Sequence, residues 1–255
     1  MKNFNNYTTD FSARNAYWLA RSSEIVYMDQ ANADIALIDL GMTKRVFIDR
    51  QDTQAFIALD EDKMIISVRG TDSLADAMTN IKFSLIDSVG GKVHEGFNIA
   101  AKHIWKDIVK LVRENNEKTL WITGHSLGAG IATIITAKLV QENHEFVNGL
   151  YTFGQPRTGN RQFAKNFNRT FGRCTFRYVN NNDVVTRTPF RAMKYRHIGT
   201  LKYFDESGKL HNKISWWMRL LDRLHGRVDD LFVRGLDGWK DHAISNYVDI
   251  TSKMI

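Results

Sequence analysis

The order of apolar and polar residues divides the chain into short extended runs and longer helical ones. Across residues 11–27, Ala16, Leu19, Ala20, Ile25 and Val26 fall at helical spacing and predict an opening helix. Residues 46–48, 55–59 and 64–68 are compact apolar runs that read as strands, the first two being candidates for a hairpin. From 94 to 114, Phe97, Ala101, Ile104, Ile108 and Val112 line one face of a long amphipathic helix. A short strand at 119–123 precedes residues 127–141, which are small and apolar enough for a buried helix. Strands follow at 149–153, 175–179 and 195–204, with a short helix at 161–168 between the first two. Strands alternating with long helices argue for a mostly parallel sheet covered on both faces, an α/β layout. The chain has no internal repeat, no low-complexity linker and only two prolines, so one domain spanning residues 1–255 is expected.

One junction in this pattern carries chemistry. Gly124-His125-Ser126-Leu127-Gly128 joins the strand at 119–123 to the helix at 127–141. A Gly-x-Ser-x-Gly turn between strand and helix is a nucleophile elbow. It is so sharp that the serine takes strained backbone angles and its near neighbours leave room only for glycine. The turn presents the Ser126 hydroxyl at a helix N-terminus, where N–H groups and the helix dipole favour developing negative charge. The Leu127 N–H, next after the serine, is aimed at the incipient oxyanion.

Composition changes this picture little, and charge changes it locally. No apolar run approaches the roughly 20 residues needed to cross a bilayer. Residues 1–10 are polar and lack the apolar core of a secretory signal. Cys174 is the single cysteine, which excludes an intrachain disulfide. A cytoplasmic address, or export without a cleavable signal, is the expectation. The formal charge is +7, and residues 187–227 hold ten Lys/Arg against three acids, so the rest of the chain sums to zero. Such a segment suits an anionic partner, and equally a solvated face that keeps the protein soluble.

A serine hydroxyl is a weak nucleophile at neutral pH and needs a base that is itself oriented by an acid. After Ser126 the histidines are His144, His197, His211, His225 and His242. His144 ends the elbow helix, far from its N-terminus, and is expected to face solvent. His211 and His225 lie within the basic segment. His242 opens the last helix and is the first candidate, with His197 the second. Asp183 stands just past the strand at 175–179, where such sheets assemble their sites. Asp241 adjoins His242, but adjacent residues seldom face each other at a helix start.

Several ordered motifs now come together. Arg69-Gly70-Thr71 follows a strand, and Val93-His94-Glu95-Gly96-Phe97 precedes the elbow sequence itself. Downstream are Tyr151 through Asn160 (YTFGQPRTGN), Asn182-Asp183-Val184-Val185, and Asp241-His242 through Tyr247. In these motifs, over roughly residues 14–204 and 240–250, the chain resembles the class 3 lipases, triacylglycerol lipases of the α/β-hydrolase fold. The resemblance implies Ser126 as nucleophile, Asp183 as orienting acid and His242 as base. It places Thr71 in the oxyanion hole with Leu127. The implied reaction is ester hydrolysis through an acyl-enzyme, with no metal or organic cofactor. His94 and His125 are expected to orient loops, and Arg69 to be a structural hydrogen-bonder.

The resemblance also assigns residues 72–83 to a short amphipathic lid. There Leu74, Ala77, Met78 and Ile81 fall at helical spacing, which suits a lid over the site and also an ordinary surface helix. The chain departs from the family in carrying Ala77 and Asn80 where tryptophan and aspartate are common, and in an insertion at about 205–240. In that insertion Ile214, Trp217, Met218, Leu221, Leu224 and Val228 alternate with Arg219, Arg223 and Arg227, beside Trp216. This is the make-up of a surface-seeking basic helix, or of a core helix whose wet side is arginine. The partners implied are an acylglycerol or phospholipid substrate and a transient membrane or lipid-droplet surface. Phospholipase A1 activity and a catalytically silent lipase-like binding module are the rival functions. Nucleic acid has only the basic charge in its favour.

Overall fold

The computed structural model describes residues 1–71, 83–211 and 240–255. The lid positions Leu74, Ala77, Met78 and Ile81, and the amphipathic run with Trp216, Trp217, Arg219, Arg223 and Arg227, lie outside the described residues.

The chain opens with α1 (Ala13–Ile25), capped by Ser12 accepting from the Asn15 N–H, and α2 (Gln30–Asp39), capped in the same way by Asp29. An antiparallel meander follows: β1 (Lys44–Arg50), β2 (Thr53–Leu59) and β3 (Lys63–Val68). After β4 (Leu85–Ser88) and β5 (Gly91–His94) comes the long helix α3 (Glu95–Glu114). The strand β6 (Thr119–His125) runs into α4 (Leu127–Gln141), and then come β7 (Gly149–Phe153) and β8 (Gly159–Asn160). The rest are α5 (Arg161–Phe171), β9 (Thr175–Asn180), β10 (Tyr195–Arg196), β11 (Thr200–Phe204), β12 (Leu210–His211) and α6 (Ile244–Ser252).

Eight strands form the main sheet in the order β1-β2-β3-β6-β7-β9-β11-β12. The five from β3 to β11 are parallel, and antiparallel strands close both edges. Because strand side chains alternate, each strand feeds two cores. Phe56, Trp121, Tyr151 and Tyr178 pack under α1, α2 and α6. Ile57, Ile66, Ile122 and Leu150 pack under α3, α4 and α5. The expected α/β layout with helices on both faces is therefore the observed one. The elbow helix is buried nearly all round, and Thr133 and Thr136 return their hydroxyls to the carbonyls four residues back.

Three features depart from the expected pattern. The helix α2 has only Ala33 and Leu37 buried, too weak a stripe to read from sequence. The run at 195–204 is two strands rather than one, broken at Gly199, whose φ of 69° is in the left-handed region. The first of the two, β10, joins β8, β5 and β4 in a second, four-stranded sheet. That sheet is built from two- and four-residue strands, too short to show periodicity.

Candidate active site

The carboxyl ends of the parallel strands carry the candidate residues. Ser126 follows β6 with φ 57° and ψ −130°, a combination that L-residues avoid. Its N–H is held by the Phe153 carbonyl at 2.9 Å, and its own carbonyl accepts from the Ala129 N–H at 3.0 Å. The two elbow glycines are required by close approach. A Cβ at Gly124 would lie 2.7 Å from the Gly128 carbonyl oxygen, and one at Gly128 would lie 2.2 Å from the Val68 carbonyl oxygen. The second contact locks the end of β3 against the first turn of α4. Beyond it a Cβ on Gly70 would be 3.3 Å from Ser126 Cβ, so the strand exit leading to Thr71 runs alongside the serine.

Asp183 sits in the turn after β9 and is fully enclosed. Its Oδ2 accepts from His242 Nδ1 at 2.8 Å and from the Tyr247 hydroxyl at 2.6 Å, and its Oδ1 from the Val185 N–H at 3.0 Å. Burial alone would raise the carboxyl pKa. The His242 charge and the hydrogen bonds from His242 and Tyr247 outweigh burial and hold it below the usual carboxylate value. An ionised carboxylate only accepts, so His242 Nδ1 is the donor in that bond, and in the neutral ring the lone pair then lies on Nε2. His242 Nε2 and Ser126 Oγ are both buried without a hydrogen-bond partner.

The histidine beside the serine has a different task. His125 Nε2 lies 2.7 Å from the His242 carbonyl oxygen, an acceptor, so Nε2 carries the proton. Its Nδ1 then accepts from the Tyr27 hydroxyl at 2.9 Å. Burial, and the adjacent His242, push the His125 pKa down to about 3, so the ring is neutral near pH 7. Its ring lies 4.5 Å from the His242 ring at a 34° tilt, and its Nε2 hydrogen bond holds that residue's backbone. His94 is the N-cap of α3, accepting from the Phe97 N–H, with burial pushing it down to about 4. The loop-orienting role expected of both histidines matches this geometry. Arg69 donates to Gln54 Oε1 at 2.8 Å and lies over the Tyr27 ring, a structural role as expected.

The alternatives separate cleanly. His197 faces Arg177, Arg157 and Arg191, and burial together with those charges depresses its pKa. His211 pairs with Asp205 at 2.6 Å on the far edge strand, and His144 is exposed as expected. His225 lies outside the described residues. Asp241 turns away from His242 and accepts from Asn181 Nδ2 and the Asn182 N–H, tying the Asp183 turn to the His242 segment. His242 itself lies two positions before Ile244, the first residue of α6, rather than opening the helix.

Sequence reasoning passed over three residues that the site depends on. Tyr247 reaches Asp183 from the first turn of α6. Tyr27 arrives from the opening segment. Gly154 follows β7 at φ 60°, where a Cβ would fall 2.6 Å from His242 Cε1 and 2.9 Å from Asp183 Oδ2. Tyr247 and Gly154 were visible as motif letters, but nothing local said what they touch.

A parallel sheet with a serine elbow at its centre, an acid after a later strand and a histidine beyond the last is the architecture of the α/β-hydrolases. Solved structures share it: a mono- and diacylglycerol lipase from Aspergillus oryzae matches with TM-score 0.66 and 21% identity over 79% of this chain and 85% of its own. A Rhizomucor miehei lipase–propeptide complex matches with TM-score 0.63 and 22% identity, over 78% and 68%. The family model for lipase (class 3) matches residues 65–193, and the chain belongs to that family. A secreted mono- and diacylglycerol lipase of Fusarium solani is 33% identical over 165 residues, 61% of this chain and 48% of that protein. A triacylglycerol lipase of Ricinus communis is 30% identical over 220 residues, 62% of this chain and 42% of that one. The chain thus spans about half the length of the curated relatives it matches. Among the described residues no helix is long and apolar enough to cross a membrane.

Proposed function

We propose that the chain is a single-domain serine ester hydrolase that releases fatty acids from acylglycerols at a lipid interface. One observation carries the reading: Ser126 Oγ and His242 Nε2, the two atoms that must exchange a proton, are both buried and unpartnered, with Asp183 behind the histidine. Ser126 Oγ attacks the acyl carbonyl carbon while its proton passes to His242 Nε2. Asp183 stabilises the resulting imidazolium, and the Leu127 N–H with Thr71 stabilises the oxyanion. The ester C–O bond then breaks and His242 returns the proton to the departing alcohol. Water, deprotonated by His242, releases the fatty acid from Ser126. The relatives' names, mono- and diacylglycerol lipase and triacylglycerol lipase, support acylglycerols as the substrate class.

The test is fatty-acid release from emulsified triglyceride, wild type beside Ser126→Ala. Loss on the order of 10⁶-fold in kcat is expected, and full activity in the variant overturns the reading. Thr71→Val is expected to cost about 3–4 kcal/mol of transition-state stabilisation. Preference for phosphatidylglycerol vesicles would shift the assignment to phospholipase A1, which the basic charge favours. Leu74, Ala77, Met78 and Ile81 are assigned to a lid from the family resemblance together with their helical spacing in the sequence. Two relatives are named as secreted, which favours export over a cytoplasmic address.

A further inference from the structure

Between Glu145 and Asp205 the chain carries eleven Lys/Arg and a single acid, Asp183. That acid is enclosed against His242 and shows no charge to solvent. Arg157, Arg177 and Lys202 are buried, so the surface share of this charge comes from the exposed cations of the stretch, all of which lie within the described residues.

The fold gathers part of this charge into one place. Pairing of β10 with β8 sets Tyr195 opposite Asn160 and Arg196 opposite Gly159. Arg161 follows Asn160 directly, and Arg191 and Lys194 lie in the turn leading into β10. Arg196 Nη1 donates to the Arg191 carbonyl at 3.1 Å, drawing the turn onto the strand pair. Its guanidinium is depressed by burial and by the charges of Arg191 and Arg161. Lys165 lies one turn beyond Arg161 on the same face of α5, whose phenylalanines Phe163, Phe167 and Phe171 all point into the core. Arg161, Lys165, Arg191 and Lys194 are exposed, and none forms an ion pair with a carboxylate among the described residues. Arg161 also opens a helix whose first turn has no acid, where the dipole disfavours positive charge. A face that served only solubility would gain nothing from that placement.

The strands that carry the patch are connected through the chain to the site. β8 leaves the carboxyl end of β7 through Gly154, which packs on His242, and β10 follows the turn that carries Asp183. Tyr195 donates to the Ser84 carbonyl just before β4, which ties β10 to the other edge of the small sheet. Met193, 41% exposed, stands between Arg191 and Lys194 as an apolar tip among cations.

We propose that Arg161, Lys165, Arg191 and Lys194 form a docking surface for an anionic lipid interface, holding the enzyme against phosphate-bearing headgroups. The proposal rests on the ester-hydrolase reading and adds the chemistry of the surface on which the enzyme works. Lipid fits better than nucleic acid because α5 offers no outward aromatic side chain for bases to stack on, while Met193 suits a headgroup layer.

The test compares wild type with the fourfold variant Arg161→Gln, Lys165→Gln, Arg191→Gln, Lys194→Gln. A control removes four exposed charges elsewhere: Lys2→Gln, Arg14→Gln, Lys44→Gln, Lys253→Gln. Binding is read by co-sedimentation with phosphatidylcholine vesicles containing or lacking phosphatidylglycerol. A basic residue near an anionic surface is worth roughly fivefold in binding, so the patch variant is expected to bind the anionic vesicles about tenfold or more weakly. The control should stay near wild type, and wild-type binding should weaken between about 0.1 M and 1 M salt. Equal losses in both variants, no loss in the patch variant, or tighter binding to duplex DNA than to the vesicles would overturn the proposal. Turnover of a water-soluble short-chain ester should be unchanged in the patch variant. Absence of that turnover in wild type would instead count against the hydrolase reading, which keeps the two failures apart.

Discussion

Replacing Gly154 with alanine tests how tightly the site is built, because the added methyl has nowhere to go. It would stand 2.6 Å from His242 Cε1, 2.8 Å from Nδ1 and 2.9 Å from Asp183 Oδ2, whereas ordinary contact starts near 3.4 Å. The imidazole must therefore retreat by about 0.8 Å, or the backbone must leave its φ of 60°. Keeping an alanine in the left-handed region costs roughly 1–2 kcal/mol. Displacing a catalytic group by about 1 Å costs on the order of 100-fold in rate. The expected result is kcat on a soluble ester lowered about 100-fold with KM little changed, and stability lowered by about 2–4 kcal/mol. Gly199→Ala separates the two effects. It has φ 69°, and its Cβ would meet Thr175 Cγ2 at 2.4 Å, in the break between β10 and β11. It should lose comparable stability while the folded fraction keeps kcat within about threefold. If folded Gly154→Ala turned over substrate as fast as wild type, the tight placement of His242 and Asp183 would not matter to the chemistry, and the reasoning would fail.

Other substitutions probe the supports of the acid and the base. Tyr247→Phe removes a hydrogen bond to an ionised carboxylate, worth about 1.5–3 kcal/mol. Urea denaturation should register that loss, and kcat should fall about tenfold. Tyr27→Phe takes away the donor that fixes the His125 tautomer. A several-fold fall in kcat at constant KM is expected, and a wild-type kcat would show that the tautomer needs no such support. Acid should unfold the protein well above the carboxylate range. His94 and His125 have folded-state pKa values of about 4 and about 3, below the ordinary 6.5, so between these limits the unfolded chain takes up protons that the native state refuses. Their stabilisation is complete above about pH 6.5 and is lost as the pH falls, by roughly 2–3 kcal/mol each on reaching pH 4.5. Denaturation midpoints at pH 7 and 4.5 measure this slope, and His94→Gln should flatten it.

The extent to which the site could be read from sequence differs residue by residue. Ser126 was legible because an elbow needs glycines two residues to either side, and the steric reason is local to the turn. Asp183 could be placed at a strand end, but its preference over Asp241 became physical only when Asp241 was seen bonding to Asn181 and Asn182. His242 and His197 both remained open to the residue pattern, and the family resemblance chose between them. In the fold, His242 meets Asp183 while His197 is set among three arginines.

By itself, the sequence determined the features whose physics is short-ranged. Apolar periodicity specified the long helices and buried strands, since each must present a continuous face to a core. The Gly-x-Ser-x-Gly spacing specified the elbow. Only the tertiary structure decided which strands are neighbours, that residues 195–204 divide between two sheets, and that Gly154, Tyr247 and Tyr27 converge on the acid and its histidines. Those outcomes come from contacts between residues up to about a hundred positions apart (Tyr27 and His125 are separated by 98). Such contacts leave no periodic trace along the chain, because the partners of a buried hydrogen bond are chosen by packing rather than by sequence distance.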